Sequence, residues 1–367
     1  MEGTDYERRK KKKRPRPAMP QKLDFDATSY GPSIGSILQI LQKAYNSWTG
    51  ETIQLTAAVL GTGVAALYTA RLALHFWGYI RPSKLQIYCH SETGSWALVT
   101  GASDGIGRGF VDELLSNGFN VLLHGRNQEK LEGIIKELAQ KHPKRTVDYV
   151  VADASSADSP ETAVVEKVKK LPGKLTVLVN NVGGISTKPT FVDFSRIGAE
   201  SIDSQLNLNA RFPTQVIAAL LPTLQQNQPS LIMNCGSAGG EIGVPYITTY
   251  CATKAYIHGL TLALKAEMAS EGYAPDKRAT KGVEVQGYII GNTMSAGNTT
   301  QVPFFTITAA ECAKGCLKKV GSGKALEVPH WRQELLGWIT SSIPEQMMRD
   351  GMAKEMKSRK DEQAKTE

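Results

Sequence analysis

Between Trp96 and Val328 the chain alternates short apolar, often β-branched runs with longer stretches in which apolar residues recur every three or four positions. The short runs read WALVT, NVLLH, VDYVVA, KLTVLVN, SLIMNC and GVEVQGYII, with a last one near ALEV. Runs that are apolar throughout predict strands buried on both faces, and the helical stretches between them predict parallel crossovers. The pattern therefore predicts an α/β fold, a doubly wound parallel sheet of seven strands with helices on both sides and no internal repeat.

The flanks follow other patterns. Residues 1–50 open with a proline-containing basic run that buries little apolar surface, which predicts a flexible region. Ile53 to Ala70 carry no charge and as a helix would reach about 27 Å, close to the roughly 30 Å hydrocarbon core of a bilayer. Trp77 and Tyr79 follow at a depth suited to headgroups, and Arg71 is placed to snorkel, so 51–80 reads as a membrane helix, with a buried soluble helix as the rival. Arg71, Arg81 and Lys84 favour a cytoplasmic C-terminal side. A catalytic domain is expected over 90–330. Residues 331–367 read as a tryptophan-containing amphipathic segment, resting on a membrane or on the domain, followed by a charged tail from Arg349 expected to be unfolded or a frayed helix.

Charge narrows the function. The net charge of +8 is accounted for by eight basic residues between Arg8 and Arg16, leaving the rest of the chain neutral. A neutral body argues against an extended groove for nucleic acid; the run itself suits nuclear targeting, anionic lipid or a plain solvated tail. The five cysteines lack a disulfide spacing and fit a reducing compartment, and Cys312 and Cys316 have no histidine or second pair beside them, so no metal site is expected.

The chemistry lies in three places. TGASDGIG follows the first strand and opens a helix, the context for a loop that cradles phosphate at a helix N-terminus through Gly101, Ser103, Asp104, Gly105, Ile106 and Gly107. Where a cofactor with a free ribose 2′-hydroxyl calls for an acid, LLHGRN supplies Arg126 and no acid, which favours a 2′-phosphate and hence NADPH. Beyond the fifth strand, Ser237 precedes Tyr250 by thirteen residues and Lys254 follows it by four, on one helix face. An ammonium beside a phenol lowers its pKa from about 10, so Tyr250 can donate a proton to a carbonyl oxygen that Ser237 also binds. His124 and His258 read as packing or surface residues.

TGxxxGxG, NNVG, the serine and YxxxK together resemble the short-chain dehydrogenase/reductase family over roughly residues 96–320. That resemblance implies a Rossmann-like fold, an adenine contact at Asp153, a cofactor floor at Asn180 and Gly183, and a tetrad asparagine at Asn209, with Asn207 the fallback. The lead-in SKLQIYCHSETGSWALVTG and the nucleotide half are similar to the microsomal very-long-chain 3-oxoacyl-CoA reductases and the membrane-type 17β-hydroxysteroid dehydrogenases. This implies reduction of a 3-oxoacyl-CoA by NADPH in fatty-acid elongation at the endoplasmic reticulum membrane, with the catalytic domain facing the cytoplasm. The implied partners are a hydrophobic carbonyl substrate, membrane lipid, a second copy in a homodimer and other elongation enzymes. A steroid or other hydrophobic ketone is the second reading, and a non-catalytic NADPH-binding membrane protein the third. Ile290-Gly291 stands where the family has Pro-Gly.

Overall fold

The computed structural model describes residues 32–47, 50–90, 94–276, 280–295, 297–298 and 301–366, and the basic run lies outside them. The chain divides into two units, Met1–Leu74 and His75–Glu367. The first holds helix α1 (Pro32–Ser47) and most of α2 (Gly50–Ile80). Within α2, Leu55–Ile80 is long and apolar enough to cross a membrane. Leu55, Val59, Leu60, Leu67 and Tyr68 are exposed.

In the second unit the strands are β1 (Ser95–Thr100), β2 (Asn120–Gly125), β3 (Val147–Val151), β4 (Lys174–Asn180), β5 (Ser230–Cys235), β6 (Val283–Tyr288) and β9 (Leu326–Glu327). They form one parallel sheet in the order β3-β2-β1-β4-β5-β6-β9, as the pattern predicts. Strand β1 is buried along its whole length, Ala97 and Val99 entering one apolar cluster and Trp96 and Leu98 the other. One cluster takes Phe110 and Leu114 of α3 (Gly105–Ser116) and Cys312 and Cys316 of α10 (Ala309–Lys319), so these thiols are core residues. The opposite cluster takes α5 (Glu161–Lys169), α7 (Phe212–Gln226) and α9 (Thr248–Ser270). Because β1 lies between β2 and β4, the chain reverses its winding there and opens a crevice at the strands' C-terminal ends. A small pair, β7 (Thr293–Met294) with β8 (Ile307–Thr308), follows β6.

At the charged C-terminus, the helical one of the two expected forms is found, and it is docked: residues Glu345–Thr366 form helix α12. Met356 is buried, Lys360 Nζ lies 2.6 Å from Asp193 Oδ1, and Gln363 Oε1 accepts a hydrogen bond from Phe191 N at 3.1 Å. A few specific contacts with a distant loop order a segment whose composition alone is that of a solvated chain. Before it, α11 (Trp331–Ser341) packs on the domain through buried Gln333 while Trp331 and Trp338 remain exposed.

Candidate active site

The glycine turn between β1 and α3 is built by steric necessity. Gly101 has φ +64°, and a Cβ there would stand 2.9 Å from Val182 Cα. Gly107 has no such freedom to use: a Cβ would meet Gly101 O at 2.1 Å, so this glycine lets the helix seat against the turn. Ser103 and Ile106 are half-buried in the turn. Asp104 caps α3, accepting from Gly105 N at 2.7 Å, and pairs with Lys130 Nζ at 2.8 Å. The hydrogen bond from Lys130 is the main reason the Asp104 carboxyl lies below its usual range. Lys130 is a second cation beside the turn that sequence reasoning missed.

Arg126 follows β2 and is exposed at the rim. Asp153, just past β3, accepts from Ser155 N at 3.0 Å and Ser155 Oγ at 2.7 Å. Partial burial would raise its pKa, but the Ser155 hydrogen bonds and the Arg126 charge outweigh it and hold the carboxyl low. His124, the residue two before Arg126, is buried and stacked on Phe212 with ring centroids 4.9 Å apart.

The structure divides the labour of the two NNVG asparagines. Asn180 turns into the sheet, donating to Asn234 Oδ1 at 3.0 Å, and Asn234 donates in turn to Thr261 Oγ1 at 3.0 Å. Asn181 instead braces the glycine turn, donating to Thr100 O and Gly101 O at 3.0 and 3.2 Å. Gly183 forms a slot between two other site residues: a Cβ would lie 2.6 Å from Asn209 Oδ1 and 3.0 Å from Lys254 Nζ.

Asn209 lies in a π turn, Asn207–Arg211, inserted before α7. The wider turn re-aims its side chain, which accepts from Gly184 N at 2.9 Å and donates to Gly184 O at 2.9 Å. Asn207 points elsewhere, to Ser155 O at 3.2 Å. The geometry therefore brings Asn209, not the fallback, beside Lys254.

Ser237, Tyr250 and Lys254 meet where β5 ends and α9 begins. Ser237 and Tyr250 both flank Gly239, where a Cβ would stand 3.4 Å from Ser237 Oγ and 3.7 Å from the Tyr250 ring. Lys254 Nζ donates to Cys235 O at 2.9 Å and stands 5.8 Å from the centre of the Tyr250 ring. The anticipated depression of the phenol pKa by Lys254 does not occur. Burial pushes the Tyr250 phenol above its usual value, with Ser237 acting the other way, and burial pushes Lys254 down. Tyr250 thus carries its proton at neutral pH.

Nearby, Tyr246 takes a left-handed backbone, φ +66°, and accepts from Val192 N at 3.1 Å. Lys360 of α12 lies over its ring at 4.8 Å. Gln333 supports the segment after β6, accepting from Gly291 N at 3.1 Å and donating to Asn292 O at 3.0 Å. These contacts join residues far apart in sequence, and no local motif announces them.

Residues 95–294 match the family model described as short chain dehydrogenase. The chain belongs to the short-chain dehydrogenase/reductase family. A very-long-chain 3-oxoacyl-CoA reductase of Podospora anserina is 31% identical over 323 residues, covering 83% of this chain and 88% of its own. Hydroxysteroid dehydrogenase-like protein 1 of Gallus gallus is 29% identical, covering 77% of this chain and 85% of its own. Among solved structures, a 7β-hydroxysteroid dehydrogenase superposes with a TM-score of 0.61 at 20% identity, over 72% of this chain and 99% of its own. A Sphingobium yanoikuyae short-chain dehydrogenase in complex with NADPH gives 0.56 at 22%, over 68% of this chain and 94% of its own. At such identities these two likenesses speak for the fold. This short-chain dehydrogenase/reductase is an oxidoreductase of the CH–OH/C=O couple that uses a nicotinamide cofactor.

Proposed function

We propose that the protein reduces a long-chain 3-oxoacyl-CoA to the 3-hydroxyacyl-CoA with NADPH, in fatty-acid elongation at the endoplasmic reticulum membrane. The observation that carries the chemistry is the convergence of Ser237 and Tyr250 at Gly239 and of Lys254 and Asn209 at Gly183. The substrate class rests on the relatives' names, and α2 supplies an anchor suited to a lipid substrate.

The glycine turn fits a nicotinamide dinucleotide, because Gly101 and Gly107 pack too closely on Val182 and on Gly101 O to carry a Cβ and so seat the N-terminus of α3 where a pyrophosphate would accept its N–H groups. Gly101, Ser103, Asp104, Gly105, Ile106 and Gly107 would hold the pyrophosphate side, Arg126 the 2′-phosphate, Asp153 the adenine, and Gly183 the floor, with Asn180 acting behind it by joining β4 to β5. When bound, NADPH supplies the hydride. Ser237 holds the substrate carbonyl oxygen by a hydrogen bond, and Tyr250 transfers its phenolic proton to that oxygen. Lys254 stabilises the phenolate as it forms, and Asn209 fixes the end of the loop that carries Gly183 and Gly184.

A second reading, a steroid or other hydrophobic ketone as substrate, is favoured by the hydroxysteroid dehydrogenase-like relative. NADPH oxidation by detergent-solubilised protein, comparing 3-oxopalmitoyl-CoA with a 17-ketosteroid, separates the two. Tyr250→Phe should abolish turnover and leave NADPH binding intact. Tyrosine-dependent turnover of the steroid alone would overturn the first reading, and wild-type rates in Tyr250→Phe would overturn the mechanism.

A further inference from the structure

Tyr250 and Lys254 do not complete their face of α9. His258 follows four residues after Lys254, on the same side of the helix, and is buried. Its imidazole reaches the end of β5, where Nε2 accepts a hydrogen bond from the backbone N–H of Ser237 at 3.3 Å. Nδ1 lies 2.6 Å from Oε1 of Glu241, in the short helix α8 (Gly239–Ile242). An Nε2 that accepts must be unprotonated, so the proton sits on Nδ1, where the Glu241 carboxylate attracts it. The Ser237 contact thus sets the tautomer, and the Glu241 carboxylate stands beside the protonated nitrogen.

Gly236 makes room for this arrangement. A Cβ there would stand 2.0 Å from His258 Nε2 and 2.8 Å from Tyr288 O. The backbone of Ser237 is then held at both ends, its N–H by His258 and its C=O by Gly240 N at 2.9 Å. Its hydroxyl accepts from Gly239 N at 3.1 Å and meets Tyr250. Both ring nitrogens face the segment 237–241, which carries the serine. A histidine retained only to fill the core would have no need to engage both ends of that segment.

We infer that His258, oriented by Glu241, is a positioning residue that sets the Ser237 backbone and so aims its hydroxyl at the carbonyl oxygen; this rests on the roles proposed for Ser237 and Tyr250. Glu241 on α8 and Lys254 on α9 are the charged groups that act on the ring. Burial and the Lys254 charge keep the imidazole neutral against the pull of Glu241, the state the Ser237 contact requires.

The test uses the full chain in detergent, 3-oxopalmitoyl-CoA or the 17-ketosteroid, whichever the wild type reduces, and NADPH. His258→Leu removes the acceptor, His258→Gln offers an amide oxygen in its place, and Glu241→Ala frees the ring from an exposed position. His258→Leu should lower kcat by about tenfold or more, with the KM for each substrate within about threefold of wild type, and His258→Gln should restore most of the loss. Glu241→Ala should lower kcat in the same sense. Melting temperatures separate this from simple loss of packing: a lowered melting temperature with wild-type kcat in His258→Leu overturns the inference. If neither His258 variant folds, Glu241→Ala decides, a wild-type kcat counting against the inference and a reduced one for it. Ser237→Ala distinguishes the levels. If it is inactive while the His258 and Glu241 variants turn over normally, only this inference fails; if it is fully active, the catalytic reading fails as well.

Discussion

Replacing Gly183 by alanine would place a methyl group 2.6 Å from Asn209 Oδ1 and 3.0 Å from Lys254 Nζ. Lys254 is tied to Cys235 O and buried, so Asn209 must yield. Its side chain makes hydrogen bonds with Gly184 N and Gly184 O at 2.9 Å and with Gln205 O at 3.2 Å. Losing one or two of these at about 1 kcal/mol each, on top of overpacking strain of about 1–3 kcal/mol, gives a destabilisation of roughly 2–5 kcal/mol. For a domain of this size that corresponds to a fall in Tm of roughly 4–20 °C. Because the displaced atoms face Lys254, kcat should also fall, by about tenfold or more. Thermal melts and NADPH oxidation measure both effects. Gly133→Ala is the control, an exposed helical glycine whose Cβ would meet nothing within 4 Å. A Gly183→Ala protein with wild-type Tm and kcat would refute the argument that this slot couples the cofactor floor to Lys254 and Asn209.

Arg126→Ala should weaken NADPH binding more than NADH binding, and equal losses in a fluorescence titration would count against a 2′-phosphate role. His124 is buried and keeps its neutral form down to about pH 4, while an unfolded chain takes up that proton near pH 6.5. The unfolded state therefore binds the extra proton between these values, and stability should fall by about 3 kcal/mol as pH drops through the window. Urea midpoints of the wild type should fall more steeply from pH 7 to pH 4.5 than those of His124→Gln; parallel slopes would contradict this. Truncation after Pro344 removes the Lys360 and Gln363 contacts with Asp193 and Phe191, so trypsin should cut after Arg196 faster than in the full chain, and an unchanged cleavage rate would show that α12 does not hold that loop.

The strands were legible because burial on both faces leaves continuous apolar runs, and the glycine turn because Gly101 and Gly107 face backbone atoms that admit no side chain. What escaped the sequence depends on direction. Asn180 and Asn181 are adjacent and chemically identical, yet one belongs to the sheet and the other to the turn, since successive residues at a strand end point to opposite sides. Asn209 was favoured over Asn207 in the sequence, but the π turn that places its side chain was not legible there. The docking of helix α12 was not legible, because its few decisive contacts lie more than a hundred residues away in sequence.

The Tyr250–Lys254 pair shows why spacing alone misjudged the electrostatics. One helical turn brings the two side chains together, but it also carries them under the same cover, and desolvation raises the phenol while it lowers the ammonium. A lysine that stabilised the phenolate before reaction would leave tyrosine without the proton that a carbonyl needs. Held 5.8 Å from the ring centre and bound to Cys235 O, Lys254 instead acts most strongly when negative charge develops on the phenol oxygen. An interaction that strengthens as the proton leaves lowers the barrier without stabilising the ground state equally, which is the condition for a faster step. The same burial that defeats the simple expectation from YxxxK therefore leaves Tyr250 with a proton to give to a carbonyl oxygen.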